Sequence, residues 1–340
     1  MISVMPGMRA LLVVSMASLF VGCSSSGDAP VDGDATNDAA IDGSFDDVLG
    51  IDGIDGEDGA TTFDAKRDDV TDAAGADAPG DVVRGDVATD VVVDDAGTWS
   101  LVWSDEFDGP DGAEIDRSKW TYDDPQSGKY NKELEYYAPG TANAEQRGGN
   151  LLITATAAGA SKYTCWYGPC RYTSARVITQ GLFATKYGRI AARIQIPRGQ
   201  GLWPAFWLLG SDIGTVSWPA CGEIDVMENI GKNPLTDYGT LHAPGFDKGS
   251  SADAARALAD DFHVYAVEWS AKGIQFFLDD RGYVTLTPAD VPAGGKWAFD
   301  HPFFLLLNVA VGGGWPGDPD ATTVFPQTMK VDWVRVYSGG

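Results

Sequence analysis

The sequence predicts an all-β fold, a β-sandwich, on three observations. Several short runs alternate apolar and polar residues with period two, one run is almost wholly apolar, and Gly and Pro clusters separate them. Helical patterning is scarce, and only Ala252 to Asp261 offers enough for two or three helical turns.

The strands follow in chain order. Asn150 to Ala157 alternates. Further on, Ile190, Ala192, Ile194 and Ile196 fall on one face, with Arg189, Ala191, Arg193 and Gln195 on the other, as in a half-buried strand. His263 to Trp269 and Ile274 to Leu278 repeat the pattern, and Asp279-Asp280-Arg281-Gly282 is placed to turn the chain before Tyr283. Phe303 to Val309 reads as a central strand covered on both faces, and Val331 to Tyr337 closes the set.

Composition divides the chain into three parts. Arg9 followed by the apolar run Ala10 to Gly22 has the form of an export signal, too short to span a bilayer. Its end, Leu19-Phe20-Val21-Gly22-Cys23, resembles a lipobox, so residues 1–22 are expected to be removed and Cys23 lipidated as a membrane anchor. Residues 24–97 carry 20 Asp and one Glu against Lys66, Arg67 and Arg84, with Phe45 and Phe63 the only aromatics. Such a segment buries too little apolar surface to offset its ordering entropy and is expected to be a disordered acidic linker. Residues 98–340 hold all 11 tryptophans and form the expected folded domain, long enough for one core. The acidic balance and the lack of a basic patch exclude nucleic acid as a partner.

The chemistry concentrates in Gly222-Glu223-Ile224-Asp225-Val226-Met227-Glu228-Asn229. Alternation puts Glu223 and Asp225 on one face of a strand and Glu228 on the other. A one-residue β-bulge near Val226 or Met227 restores its parity, and bulges beside active sites serve to re-aim side chains in this way. Three carboxyls on one face raise one another's proton affinity and titrate together, as acid/base chemistry requires.

This segment resembles the ExDxxE signature of glycoside hydrolase family 16, in its laminarinase-like branch. The resemblance extends to Trp103-Ser104-Asp105-Glu106-Phe107, Asn131 to Tyr137, Gly201 to Trp207, Trp218-Pro219, Leu307-Asn308, Gly312 to Gly317 and Val331 to Tyr337. It implies a β-jelly roll of two curved antiparallel sheets. It also implies a retaining endo-β-1,3-glucanase, with mixed-linkage glucan or an algal galactan as the alternative substrate; the export signal places it outside the cell or anchored at the surface, and a monomer is expected. Glucan-binding relatives without activity have lost the catalytic glutamates, which this chain keeps. Carried over residue by residue, the resemblance makes Glu223 the nucleophile, Glu228 the acid/base and Asp225 the helper between them. Asn131, Arg176, Trp203, Trp207, Trp218, His242, Asn308 and Trp315 become the expected glucan contacts. No cofactor is implied for catalysis, but a structural calcium is, through Glu106, the Gly149 carbonyl and Asp332. Glu135 stands where many relatives have glutamine, which departs from the pattern.

The cysteines give a separate expectation. Export meets oxidising conditions and Trp166-Tyr167-Gly168-Pro169 can turn the chain, so Cys165 should pair with Cys170 and leave Cys221 as a buried thiol.

Overall fold

The computed structural model describes residues 93–94 and 97–339; the expected export segment, Cys23 and nearly all of the acidic linker lie outside them. Two antiparallel sheets carry the fold. The first contains β1 (Thr121–Tyr122), β2 (Arg176–Ile178), β3 (Leu202–Gly210), β4 (Glu223–Glu228), β5 (Thr236–Ala243), β6 (Phe246–Asp253) and β7 (Phe303–Val311). Its spatial order is β6-β5-β4-β3-β7-β2-β1. The second is built around the long strand Gln327–Ser338. Gly188–Gln195 pairs along one side of it, and Leu151–Ala155 and Ser100–Asp105 share the other.

The sheets bury their facing side chains against each other, as a jelly-roll sandwich requires. Phe206, Ile224, Leu241, Leu305 and Leu307 from the first sheet share one core with Ile190, Ile194, Tyr265, Phe276 and Val334 from the second. All nine residues of β7 are buried, as its apolar sequence predicted. On its far face Phe304 and Leu306 pack beside Trp207 and Leu209 of β3, with Ile213 joining the cluster. The acid-bearing strand β4 lies two places from β7 on this sheet.

The expected helix at Ala252 to Asp261 does not form. Ala252 and Asp253 instead finish β6 by pairing with Asp237 and Thr236, and only Leu258–Asp260 makes a 3-10 turn. Strand pairing and burial of Ala252, Leu258 and Ala259 in the core override the helical propensity of an alanine-rich segment. The turn at Asp279 is present, with Asp279 in the left-handed region and Leu278 opposite Arg281. Cys165 and Cys170 are bonded, and Cys221 is free and buried.

Candidate active site

The parity problem in β4 is solved at Val226. Opposite β3, Phe206 pairs with Met227 and Trp207 with Asp225, so Val226 has no partner; opposite β5 the register shifts between Asp225 and Glu228. Val226 and Met227 are both fully buried, and the extra residue turns Glu228 to the side that carries Glu223 and Asp225. The three acids then meet different neighbours. Glu228 accepts a hydrogen bond from Trp203 Nε1 at 2.8 Å. Asp225 lies 3.2 Å from His242 Nε2, and Glu223 stands directly across from His242 in the β4–β5 ladder. His242 Nδ1 is 3.4 Å from Asp247 on β6.

Few charges compensate this trio. Burial pushes Glu223 up to about 8, the Asp225 charge adds to it, and His242 and the Trp218 side chain oppose it. Burial likewise raises Asp225 to about 8. It also holds Glu228 well above the usual carboxylate range, reinforced by the Asp225 charge and opposed by the Trp203 hydrogen bond. Carboxyls coupled in this way share protons near neutral pH and do not all ionise. One can stay anionic while another keeps a proton to donate.

Aromatic rings stand on both flanks. Trp203 meets Trp315 edge to face at 5.4 Å, and Trp315 meets Tyr238 at 5.0 Å. Trp218, 55% exposed, lies 6.1 Å from the His242 ring. Half-exposed indoles of this kind can stack on the C–H faces of sugar rings. Gly313 approaches both the Asn131 carbonyl and the Trp203 ring with a positive φ, so a side chain there would strain the loop that carries Trp315.

Beneath the cleft the polar residues are mostly spoken for. Arg176 is buried with its guanidinium on Ser127, Asp123, Tyr137 and Glu133, and it stacks over the Tyr137 and Trp207 rings. Asn308 accepts from Trp207 Nε1 and donates to the Tyr137 hydroxyl. Exposed Asn131 donates to Glu133. Glu135, the departure from the pattern, points inward: its Oε2 accepts from the Val311 amide at 2.6 Å. Burial, with the Glu133 charge second, raises it well above the usual range, so it keeps its proton as a neutral stand-in for an amide.

Some residues escaped sequence reasoning. Glu133 and Tyr137 alternate with Glu135 on β-forming sequence, a signal that could have placed them in the floor. Tyr238 and Asp247 gave none, because the β4–β5 pairing sets Tyr238 opposite Glu228 and the β5–β6 hairpin sets Asp247 opposite His242.

The calcium set does not fit its ion as arranged. Register brings Glu106 and Gly149 alongside the long strand that carries Asp332, but Arg335 grips Glu106 with two hydrogen bonds and Arg193 holds Asp332 at 2.7 Å. A hard cation needs those carboxylate oxygens, and fixed guanidinium groups already neutralise them. Among the described residues, the one cluster of three acid or histidine side chains close enough to share an ion is Glu223, Asp225 and His242.

Comparison with known proteins agrees with this picture. The profile of glycosyl hydrolases family 16 matches residues 161–335. A beta-glucanase of Rhodothermus marinus is 41% identical over 261 residues, covering 72% of this chain and 87% of its own. The catalytic domain of an endo-1,3-beta-glucanase (laminarinase) from Thermotoga petrophila superposes with a TM-score of 0.66 at 42% identity, covering 72% of this chain and 99% of its own. The endo-beta-1,3-glucanase of Pyrococcus furiosus superposes with a TM-score of 0.68 at 40% identity, covering 74% and 98%.

Proposed function

The chain belongs to glycosyl hydrolase family 16, as a glycoside hydrolase of the laminarinase-like branch, and we propose that it cuts β-1,3-glucan internally by double displacement with retention. The observation that carries this reading is the register shift at Val226, which puts three carboxyls, with different partners, on one face of β4.

Each acid has a task that its surroundings suit. Glu223, opposed by His242 and the more open of the two glutamates, loses its proton and attacks the anomeric carbon. Glu228, more deeply buried and oriented by Trp203, keeps its proton and gives it to the leaving oxygen. The attack esterifies Glu223 and removes its charge, so Glu228, now anionic, can take a proton from water and direct it at the same carbon. Asp225 lies between them along β4 and, when ionised, accepts a hydrogen bond from whichever neighbour is protonated. Trp203, Trp218 and Trp315 hold the sugar rings, while Arg176, Trp207 and Asn308 hold the floor that orients them.

Proton NMR of laminarin digestion tests the chemistry. The new reducing end released from Glu223 forms first as the β-anomer. With an activated substrate and azide, Glu223→Ala gives an α-glycosyl azide and Glu228→Ala a β-glycosyl azide; the reverse assignment of products overturns the roles. On substrates, kcat/KM falls from laminarin to mixed-linkage glucan, with none on cellulose, and a preference for agarose or κ-carrageenan shifts the reading to galactan.

A further inference from the structure

Glu223 and His242 face each other across the β4–β5 ladder, and Asp225 joins them from two residues along β4. One donor atom from each of these side chains lies within 4.8 Å of the others. Two features set the cluster apart from a chance gathering of acids. Asp225 is only 3% exposed, yet its Oδ2 has no hydrogen-bond partner and lies 3.2 Å from His242 Nε2. The other imidazole nitrogen is 3.4 Å from the exposed carboxylate of Asp247. A carboxylate on the far nitrogen fixes the tautomer and orientation of a ligating histidine.

We propose that Glu223, Asp225 and His242 form a binding site for a divalent transition-metal ion of the zinc or copper(II) class, and that the ion inhibits by occupying the position of the anomeric carbon. The site must stabilise positive charge that develops on a sugar ring, so it presents two carboxylates with no lysine or arginine among their partners. A dication answers that arrangement with full rather than partial charge. Two carboxylate oxygens and one imidazole nitrogen give three protein ligands and leave positions for water. The nitrogen favours zinc, copper and nickel over calcium and magnesium. Bound metal engages Glu223 and closes its approach to substrate.

The geometry of the three side chains carries the site itself; only the inhibitory consequence rests on the glucanase reading. The full chain is titrated with CuCl2 alone and followed by electron paramagnetic resonance. One equivalent should give a signal with nitrogen coupling from a single imidazole. The coupling should vanish in His242→Gln and persist in His263→Gln and His301→Gln, which alter the other two of the three histidines. The aspartates of residues 24–97 offer only oxygen, so copper held there gives no such coupling. Calorimetry with ZnCl2 alone should show at least a tenfold weaker Kd in His242→Gln and an unchanged Kd in Cys221→Ser. On laminarin, zinc should raise KM without lowering kcat, EDTA should reverse it, and calcium or magnesium at the same concentration should do nothing.

Wild-type protein without single-imidazole coupling overturns the site, whatever the variants do. So does coupling that survives His242→Gln, or zinc affinity lost in Cys221→Ser. If laminarin is not hydrolysed but the coupling is present and His242-dependent, the metal site stands and the glucanase reading falls. Inhibition that is not competitive, with binding intact, removes the inhibitory consequence alone.

Discussion

Two groups of buried carboxyls, one on β4 and one at the short strand Glu135–Tyr137 that pairs with Tyr172–Ser174 outside the two main sheets, differ in how their charge is met. In the floor, Glu133 accepts from the Tyr137 hydroxyl and from Asn131 and lies 3.5 Å from the Arg176 guanidinium, while Glu135 keeps its proton. On β4, Glu223, Asp225 and Glu228 have only the Trp203 and Trp218 indoles and one histidine among them, with no lysine or arginine. The floor is compensated and therefore rigid. The acid strand is left short of partners, and that shortage keeps a proton available and a carboxylate reactive. A single buried acid does not mark a site; a cluster of them without a fixed counter-ion does.

The sharpest way to break the comparison is to remove a carboxyl from each group. Glu223→Ala or Glu228→Ala should lower kcat on laminarin by on the order of 10^4-fold. The same variants should melt no lower than the parent, because each deletion relieves repulsion among under-compensated acids. A melting temperature that falls by many degrees would show that the trio is structural after all.

Arg176→Ala tests the floor and should have the opposite balance. Leaving Glu133 and Asp123 without their cation should cost about 3–5 kcal/mol in urea unfolding. If stability survives and only KM rises, Arg176 is a glucan contact and not a support.

A smaller effect separates hydrogen bonding from packing at the acid/base. Trp203→Phe keeps the ring and removes the N–H on Glu228, which should slow kcat by about tenfold, the scale of a hydrogen bond to a charged group. That bond lowers the affinity of Glu228 for its proton, so without it the acid form persists further and the alkaline limb of kcat/KM moves to higher pH. An unmoved limb would mean that another group sets it.

The least change is expected at Asp237, fully buried on β5 with the Tyr283 hydroxyl at 3.3 Å as its partner. Burial holds its carboxyl well above the usual range. The unfolded chain releases this proton near pH 4 and the folded one does not, so the group costs stability as pH rises from there toward its folded value. Asp237→Asn should leave the melting temperature unchanged at pH 4 and raise it by roughly 2–4 °C at pH 8, about 1 kcal/mol for a domain of this size. Equal shifts at both pH values would assign the effect to packing.

Much of this arrangement was legible in the sequence, for stated reasons. Parity along Glu223, Asp225 and Glu228 required a bulge, and the bulge is at Val226. The unbroken apolar run of β7 required cover on both faces, and it has it. What could not be read depends on tertiary distances. Ala252 to Asp261 looked helical because propensity is local, while its pairing with Asp237 is not. Arg335 and Arg193 face Glu106 and Asp332 only after the sheets assemble, so a ligand set inferred from matching residues missed the cations beside it.

Cys221 adds a constraint on how the protein fails. In the native state its thiol is sealed inside, raised to about 11 by burial above all, and inert to oxidants. Unfolding frees it beside a disulfide only five residues across, Cys165–Cys170, which a new thiolate can attack and reshuffle. Heat inactivation should therefore be governed by the rate of first opening, since chains that open under oxidising conditions are lost to exchange before they can refold.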